Sequence, residues 1–289
     1  MLEKITKKLI KTAIKITLTL IALYWVFSKV NFQEVEKVIL NANLFYLLLA
    51  LLLFNLSKIL SSYRLNLYFR HIHINISEGY ALKLYYIGMF YNLFLPGGIG
   101  GDGYKIYLLQ KAHDVKVKTM IAATLLDRLS GLIPLLFLAG VLYTFSGYYG
   151  KYNWLDIAII VGLMSVFPLF YLFNIMMFKN YITLFYKTLM LGMAVQLLQL
   201  LSALFIVYAI GAEEDLIVFL TLFLLSSVVA VLPISLGGIG VRELTFVYGL
   251  SLLEMEATGG VAFSLIFFLI TALSSFIGIF LNEKEFVNA

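Results

Sequence analysis

The chain has no cysteine, which excludes disulfides, thiol nucleophiles and cysteine-ligated metals. Charge is scarce: Asp, Glu, Lys and Arg make up 13% of the 289 residues, where soluble domains carry about 25%. Only four prolines occur, and two of them, Pro96 and Pro233, interrupt apolar stretches. No aqueous stretch approaches the ~50 residues that an independent soluble domain needs. No nucleophile stands in a recognisable pattern with a base. No basic stripe interleaved with aromatics marks a nucleic-acid surface. The glycine run at 97–103 follows no strand pattern and lacks the lysine–serine/threonine pair of a P-loop. His71 and His73 form an isolated HxH in a polar segment, a poor metal site without a third ligand. The expectation is a chain with no catalytic residues, no metal, no cofactor and no nucleic-acid partner.

What is abundant is apolar surface. Hydrophobic residues make up 62% of the chain, and the mean hydropathy is +0.97. A membrane-spanning helix needs ~20 mostly apolar residues. Apolar runs lie at 10–28, 43–62, 80–95, 119–146, 155–178, 188–210, 216–232 and 258–281, with shorter pieces at 103–110 and 241–253. The basic start and apolar continuation of residues 1–27 have the look of a signal peptide. No small-residue cleavage pattern follows, so a retained first helix is expected. The net charge of +5 and pI of about 9.1 read as topology rather than as nucleic-acid binding.

Lysine and arginine orient the segments. Lys4, Lys7, Lys8, Lys11 and Lys15 place the N-terminus in the cytoplasm. Arg64, Arg70 and Lys83 precede the first glycine loop, and Lys105, Lys111, Lys116 and Lys118 follow it. Both flanks are basic, so 80–110 is expected to enter and leave the membrane by the cytoplasmic face. The second glycine loop is flanked by Glu213, Glu214 and Asp215 before and by Glu254 and Glu256 after, which makes it a hairpin from outside. Tyr148, Tyr149, Tyr152 and Trp154 form an expected interfacial belt. With this threading, 16 of the 21 Lys and Arg fall on the cytoplasmic side. The fold expected is all-α and integral to the membrane. It is a single domain over 1–289 with six full spans, two re-entrant hairpins and both termini cytoplasmic. Its two inverted-topology repeats cover about 1–147 and 150–285.

The glycine loops are the candidate site. LPGGIGGDGYK at 95–105 returns as LPISLGGIGVRE at 232–243, and the two GGIG tetrads begin 140 residues apart, at 97 and 237. Glycine-rich backbone at membrane depth survives only where protein or a polar cavity satisfies its amides and carbonyls. Gly97, Gly98, Gly100 and Gly101 in the first loop, and Gly237, Gly238 and Gly240 in the second, permit close approach of backbone to a ligand. Each loop feeds a half-helix whose N-terminal amides favour an anion. Lys105 and Arg242 near those N-termini make sense if an anionic group of protein or ligand lies close. Asp102, Asp127, Arg128 and Glu243 complete the charged set, and each isolated charge at the bilayer centre costs roughly 2.5–3.5 kcal/mol. Pairing of Asp102 with Arg242, and of Glu243 with Arg128, would join the two halves. Gln196 and Gln199 share one face of a span and are expected to bond between helices.

Three elements carry a family resemblance: Pro96 to Asp102 (PGGIGGD), Leu126 to Leu132 (LDRLSGL), and Pro233-Ile234-Ser235 with Gly237 to Glu243 (GGIGVRE). Together they resemble the lysylphosphatidylglycerol synthase transmembrane family. These are flippase-like proteins, among them the N-terminal membrane domain of the bacterial multiple peptide resistance factor. The family pattern more usually has arginine at the position of Lys105 and glutamate at that of Asp127. Lysine lacks the bidentate fork of arginine, which leaves headgroup preference open. The resemblance implies lipid translocation across a bacterial or archaeal cytoplasmic membrane, with a membrane lipid as substrate. The chain ends at Ala289, soon after its last span, so no aminoacyl transfer is expected of it alone. Two other readings stay open: a proton-coupled transporter of a small anionic solute using Asp102, Asp127 or Glu243, and a non-transporting scaffold or partner subunit. A homodimer is compatible with the apolar surface.

Overall fold

The computed structural model describes residues 28–94, 100–231 and 238–281, together with Thr17 and residues 24–26. Among them all regular structure is helical: α1 (Phe32–Leu40), α2 (Leu44–His71), α3 (Glu78–Phe94), α4 (Gly100–Ala112), α5 (Val117–Phe145), α6 (Asn153–Met177), α7 (Phe185–Ile210), α8 (Leu216–Val231), α9 (Val241–Leu252) and α10 (Thr258–Phe276). Short 3-10 turns lead into α7 and α8 and extend α10 to Phe280. Asn31 and Asn43 cap α1 and α2 by accepting the amides of Gln33 and Phe45, both at 3.0 Å.

Six stretches are long and apolar enough to cross a membrane: Leu44–His71, Val117–Phe145, Asn153–Met177, Lys179–Ile210, Glu213–Val231 and Thr258–Phe280. Five coincide with expected full spans. The sixth is the first limb of the expected outer hairpin. The expected first span, 10–28, lies almost wholly outside the described residues. Helix α2 runs nine residues past the expected end at 62. Its lower part was expected in an aqueous segment, yet it is satisfied inside the protein. Arg64 bonds Asp127, and Asn66 donates to the Ile76 carbonyl and to Glu78.

Two pairs of short helices pack antiparallel. In α3–α4, Tyr85 meets Lys105, Tyr91 stacks near Tyr104 with centroids 4.0 Å apart, and Asn92 accepts the Gly101 amide at 2.8 Å. The contact between Gly88 and Gly101 is backbone to backbone, since a methyl on Gly101 would overlap the Gly88 carbonyl. In α8–α9, Leu222 lies on Gly249, Ser227 bonds Arg242 and Ala230 faces Gly238. Partner numbers fall as numbers rise in both pairs, which defines two helical hairpins.

Apolar contacts gather in separate cores. One joins Phe54, Leu135, Phe223, Phe246, Phe263 and Phe267 around the second hairpin; another joins Phe69, Leu84, Ile87, Leu109, Met120 and Leu126 around the first. A smaller one links Val26 and Val35 to α9 and α10. Both large cores draw on α2 and α5, so each of these helices passes from one core into the other. Between the cores α2 carries Ser57, Lys58, Ser61, Ser62 and Arg64, and α5 carries Asp127, Arg128, Ser130 and Gly131. A polar seam therefore crosses the apolar interior.

Interhelical hydrogen bonds tie the bundle. Ser202 donates to the Ala50 carbonyl at 2.8 Å, and Asn55 links Ser274 at 2.9 Å to Tyr86 at 2.7 Å. Gln196 donates to the Gly131 carbonyl at 3.0 Å. By contrast α6 buries only Asp156, Phe170 and Asn174 and leaves most of its apolar surface outward. Of the expected aromatic belt, Tyr149, Tyr152 and Trp154 are exposed. Tyr148 departs from that expectation: it is buried, stacked 6.5 Å from Tyr143.

Gly192 of α7 sits directly on the Ser130 carbonyl of α5, with no room for a methyl. We expect Gly192→Ala to destabilise the protein by about 1–3 kcal/mol, the usual cost of overpacking. Gly162→Ala, whose new methyl would meet nothing within 4 Å, is expected to be neutral or to gain up to about 1 kcal/mol from helix propensity. Thermal melting in detergent checks both, and equal midpoints would contradict the close α5–α7 crossing.

Candidate functional site in the polar seam

The site grows out of a stripe on α2. Ser57, Ser61, Arg64 and Tyr68 recur at helical spacing and are all buried, so one polar face looks into the bundle. Arg64 donates through Nε to Asp127 Oδ1 at 2.8 Å, with side chains 6% and 9% exposed. Its guanidinium fits because α5 and α7 present glycines there. A Cβ on Gly131 or Gly192 would lie 3.0 or 3.1 Å from Nη1.

The first hairpin brings the second carboxylate. Asp102, in the first turn of α4, is buried and accepts from Lys105 Nζ at 2.7 Å through Oδ1 and from Arg128 Nε through Oδ2. Lys105 Nζ also lies 5.1 Å from the Tyr85 ring centroid. The unfavourable position of Lys105 near a helix N-terminus is thus offset by Asp102 beside it. Arg64, Tyr85, Met89, Asn92, Asp102, Lys105, Asp127 and Arg128 enclose a polar cavity of about 180 Å³. Against the ~30 Å³ share of one liquid water, this holds several water-sized groups.

On the other side of the Asp102–Arg128 pair lies a groove of about 490 Å³ between α4 and α5. Its walls are Ile106, Tyr107, Val117, Ile121 and Leu125, and Asp102 and Arg128 stand at one end. Tyr107, Ile121 and Leu125 are exposed there. Its volume is within the ordinary range for ligand pockets. Cavity and groove therefore share a wall made of one ion pair.

The second hairpin is built differently. Gly238 and Gly240 have φ of 86° and 82°, a region that glycine enters at no steric cost. The turn they form sets Glu243 to close the helix start: its Oε2 accepts the Gly240 amide at 2.6 Å, and its Oε1 accepts from Ser264 Oγ at 2.9 Å. Arg242 donates to Ser227 Oγ at 3.0 Å and lies 5.1 Å from the Phe267 ring centroid.

The structure thus brings Gly101, Asp102, Lys105, Asp127 and Arg128 together, with Gly100 opening α4 beside them. Gly238, Gly240, Arg242 and Glu243 gather at the other hairpin. Gly97, Gly98 and Gly237 lie outside the described residues, as do Pro96 and Pro233. The expected cross-pairing is corrected: Asp102 takes Lys105 and Arg128, while Glu243 is held by an amide and a hydroxyl. Each hairpin satisfies its carboxylate within its own neighbourhood, where the geometric cost is least. Two residues were not among the expected site residues: Arg64, read from the sequence as part of a cytoplasmic basic flank, and Lys58, which lies inside the apolar run 43–62. The serine stripe on α2 is the signal that would have found Arg64.

These features define a polytopic helical membrane protein whose interior charges collect along α2 and α5 and at two helical hairpins. The chain belongs to the lysylphosphatidylglycerol synthase transmembrane family, whose transmembrane-region model matches residues 12–187 and 182–278. A UPF0104 membrane protein of Pyrococcus horikoshii is 29% identical over 130 residues, 44% of this chain and 38% of that protein. The match therefore spans less than two fifths of that relative's length. No solved structure matches.

Removing one partner of a buried ion pair leaves an uncompensated charge, at a cost of about 3–5 kcal/mol. Asp127→Leu and Arg64→Met, each made alone, are expected to destabilise the protein by that order. The double variant Arg64→Met/Asp127→Leu should recover much of the loss, and a thermal-melting mutant cycle measures the coupling. Additive effects would show that the pair is not coupled.

Proposed function

We propose that the protein is a flippase-like transporter that moves an anionic-headgroup lipid, a phospholipid or a polyprenyl-phosphate-linked lipid, across the cytoplasmic membrane of a bacterium or archaeon. The observation that carries this reading is the shared wall between the polar cavity and the apolar groove. A lipid is a polar group on an apolar tail. The groove suits the tail, and the cavity offers Arg64, Lys105 and Arg128 to the headgroup. Asp102 ties Arg128 and Lys105 together, so a headgroup competes with a carboxylate for the same two cations. Membership of a family named for a lipid synthase's membrane region agrees with this reading.

The hairpins in this proposal are re-entrant, one from each face. Helix α4 at 13 residues and α9 at 12 would extend about 20 and 18 Å, short of the ~30 Å hydrocarbon core. The two halves are then inverted repeats that rock against one another to give alternating access. Both termini face the cytoplasm in this proposal, a placement that the lysine distribution supports.

The test is translocation of headgroup-labelled lipids in proteoliposomes made with purified protein. Arg128→Gln should slow an anionic lipid at least tenfold and a zwitterionic one much less. Ile121→Trp, which fills the groove, should slow both. If folded wild-type protein moves no lipid, the transporter reading fails.

A further inference from the structure

Two cations of the seam have no carboxylate within ion-pair distance among the described residues: Lys58 and Arg242. Lys58 stands at the middle of α2, about 20 Å from either helix end, beyond the reach of one side chain. Its Nζ lies 4.3 Å from the Phe54 ring centroid, as Arg242 Cζ lies 5.1 Å from that of Phe267. The two rings touch edge to face with centroids 5.7 Å apart. The cations thus flank one aromatic pair where α2, α9 and α10 meet. Lys58 stands six residues before Arg64 on α2, about 9 Å along the axis, which connects this place to the polar cavity that Arg64 lines. Glu243, next to Arg242 in the chain, offsets part of its charge, but its oxygens accept from Gly240 and Ser264 and it forms no ion pair with either cation.

A charge tally extends the point. Lys58, Arg64, Lys105, Arg128 and Arg242 face Asp102, Asp127 and Glu243, which leaves two positive charges in excess when all are ionised. Like charges repel strongly in a medium of low dielectric constant. A phosphodiester brings one negative charge and leaves half the excess. A phosphomonoester or diphosphate brings about two near neutral pH.

We propose that Lys58 and Arg242 form a second anion subsite, which together with the Arg64–Lys105–Arg128 cavity selects a headgroup carrying two negative charges, a phosphomonoester or a diphosphate. Attachment of that headgroup to a lipid rests on the transporter reading above; the subsite itself does not. The aromatic pair supports the two cations when no anion is bound, and the anion bridges them when it is.

The experiment is binding to the full chain in neutral detergent, measured by thermophoresis at pH 7.5. The probes are dihexanoyl phosphatidic acid, dihexanoyl phosphatidylglycerol and inorganic pyrophosphate. Wild-type protein is expected to bind the phosphatidic acid at least tenfold more tightly than the phosphatidylglycerol. Lys58→Met should bring that preference below threefold with little change for phosphatidylglycerol, and Lys58→Arg should keep it. Melting profiles confirm that each variant is folded. Equal wild-type affinities, which need no variant to interpret, overturn the proposal. So does a preference that survives in both Lys58→Met and Arg242→Gln. Pyrophosphate bound as tightly as phosphatidic acid, and lost in Lys58→Met, upholds the subsite and assigns it to a soluble anion. Absent translocation with an intact preference strikes the transporter reading alone; translocation without the preference strikes the subsite alone.

Discussion

The ion pair between Arg64 and Asp127 fixes how the bundle is assembled. It joins α2 to α5 at the level where each helix leaves one apolar core for the other. Both side chains are more than nine-tenths buried, so the two helices hold this register or lose several kcal/mol. The glycines that admit the guanidinium, Gly131 and Gly192, are also the residues at which α5 and α7 meet. One interaction thus sets the spacing of three helices. The polar cavity is the space left over beside it, bounded on its far side by Met89, Asn92, Asp102 and Lys105 of the first hairpin.

The two hairpins share a fold but differ in electrostatics. The first carries its own counter-ion: Asp102 lies one turn from Lys105 and reaches across to Arg128. It is nearly self-sufficient, and its charge can be redistributed without any outside group. The second spends its carboxylate on the mechanics of the turn, since Glu243 bonds Gly240 and Ser264. Its arginine is left to a hydroxyl and an aromatic face. Motifs that look like copies in the sequence have therefore diverged in what they hold. The GGD of the first loop and the VRE of the second place opposite charges closest to the helix start.

Much of the architecture was legible from hydropathy because lipid imposes a length on every span. Apolar runs at 119–146, 155–178, 188–210 and 216–232 lie within three residues of α5, α6, α7 and α8. The glycine-rich loops fall where α3 gives way to α4 and α8 to α9, because few residues tolerate such backbone in an apolar setting. The pairing of charges was not legible. Arg64 and Asp127 are 63 positions apart, and a hydropathy window sees only an arginine that ends a span. Lys58 was lost the same way, averaged with the basic residues that follow it. Periodicity could have rescued Arg64, whose place in the stripe with Ser57 and Ser61 is a statement about a face rather than a window. The groove between α4 and α5 had no sequence signal, since its walls are ordinary apolar residues of two separate segments.

The glycine crossing at Gly88 and Gly101 has a mechanical consequence. Two helices that meet through their main chains cannot slide or scissor, because any shear drives a carbonyl into a neighbouring backbone. The limbs α3 and α4 must travel as one rod. Short connections, residues 72–77 and 113–116, join it to α2 and α5. Asp102 of that unit meets Arg128 of α5, and the same two helices, α4 and α5, wall the groove beside Tyr107. The ion pair and the groove thus depend on one stiff unit, whose limbs are joined by a pair of residues that have no side chains.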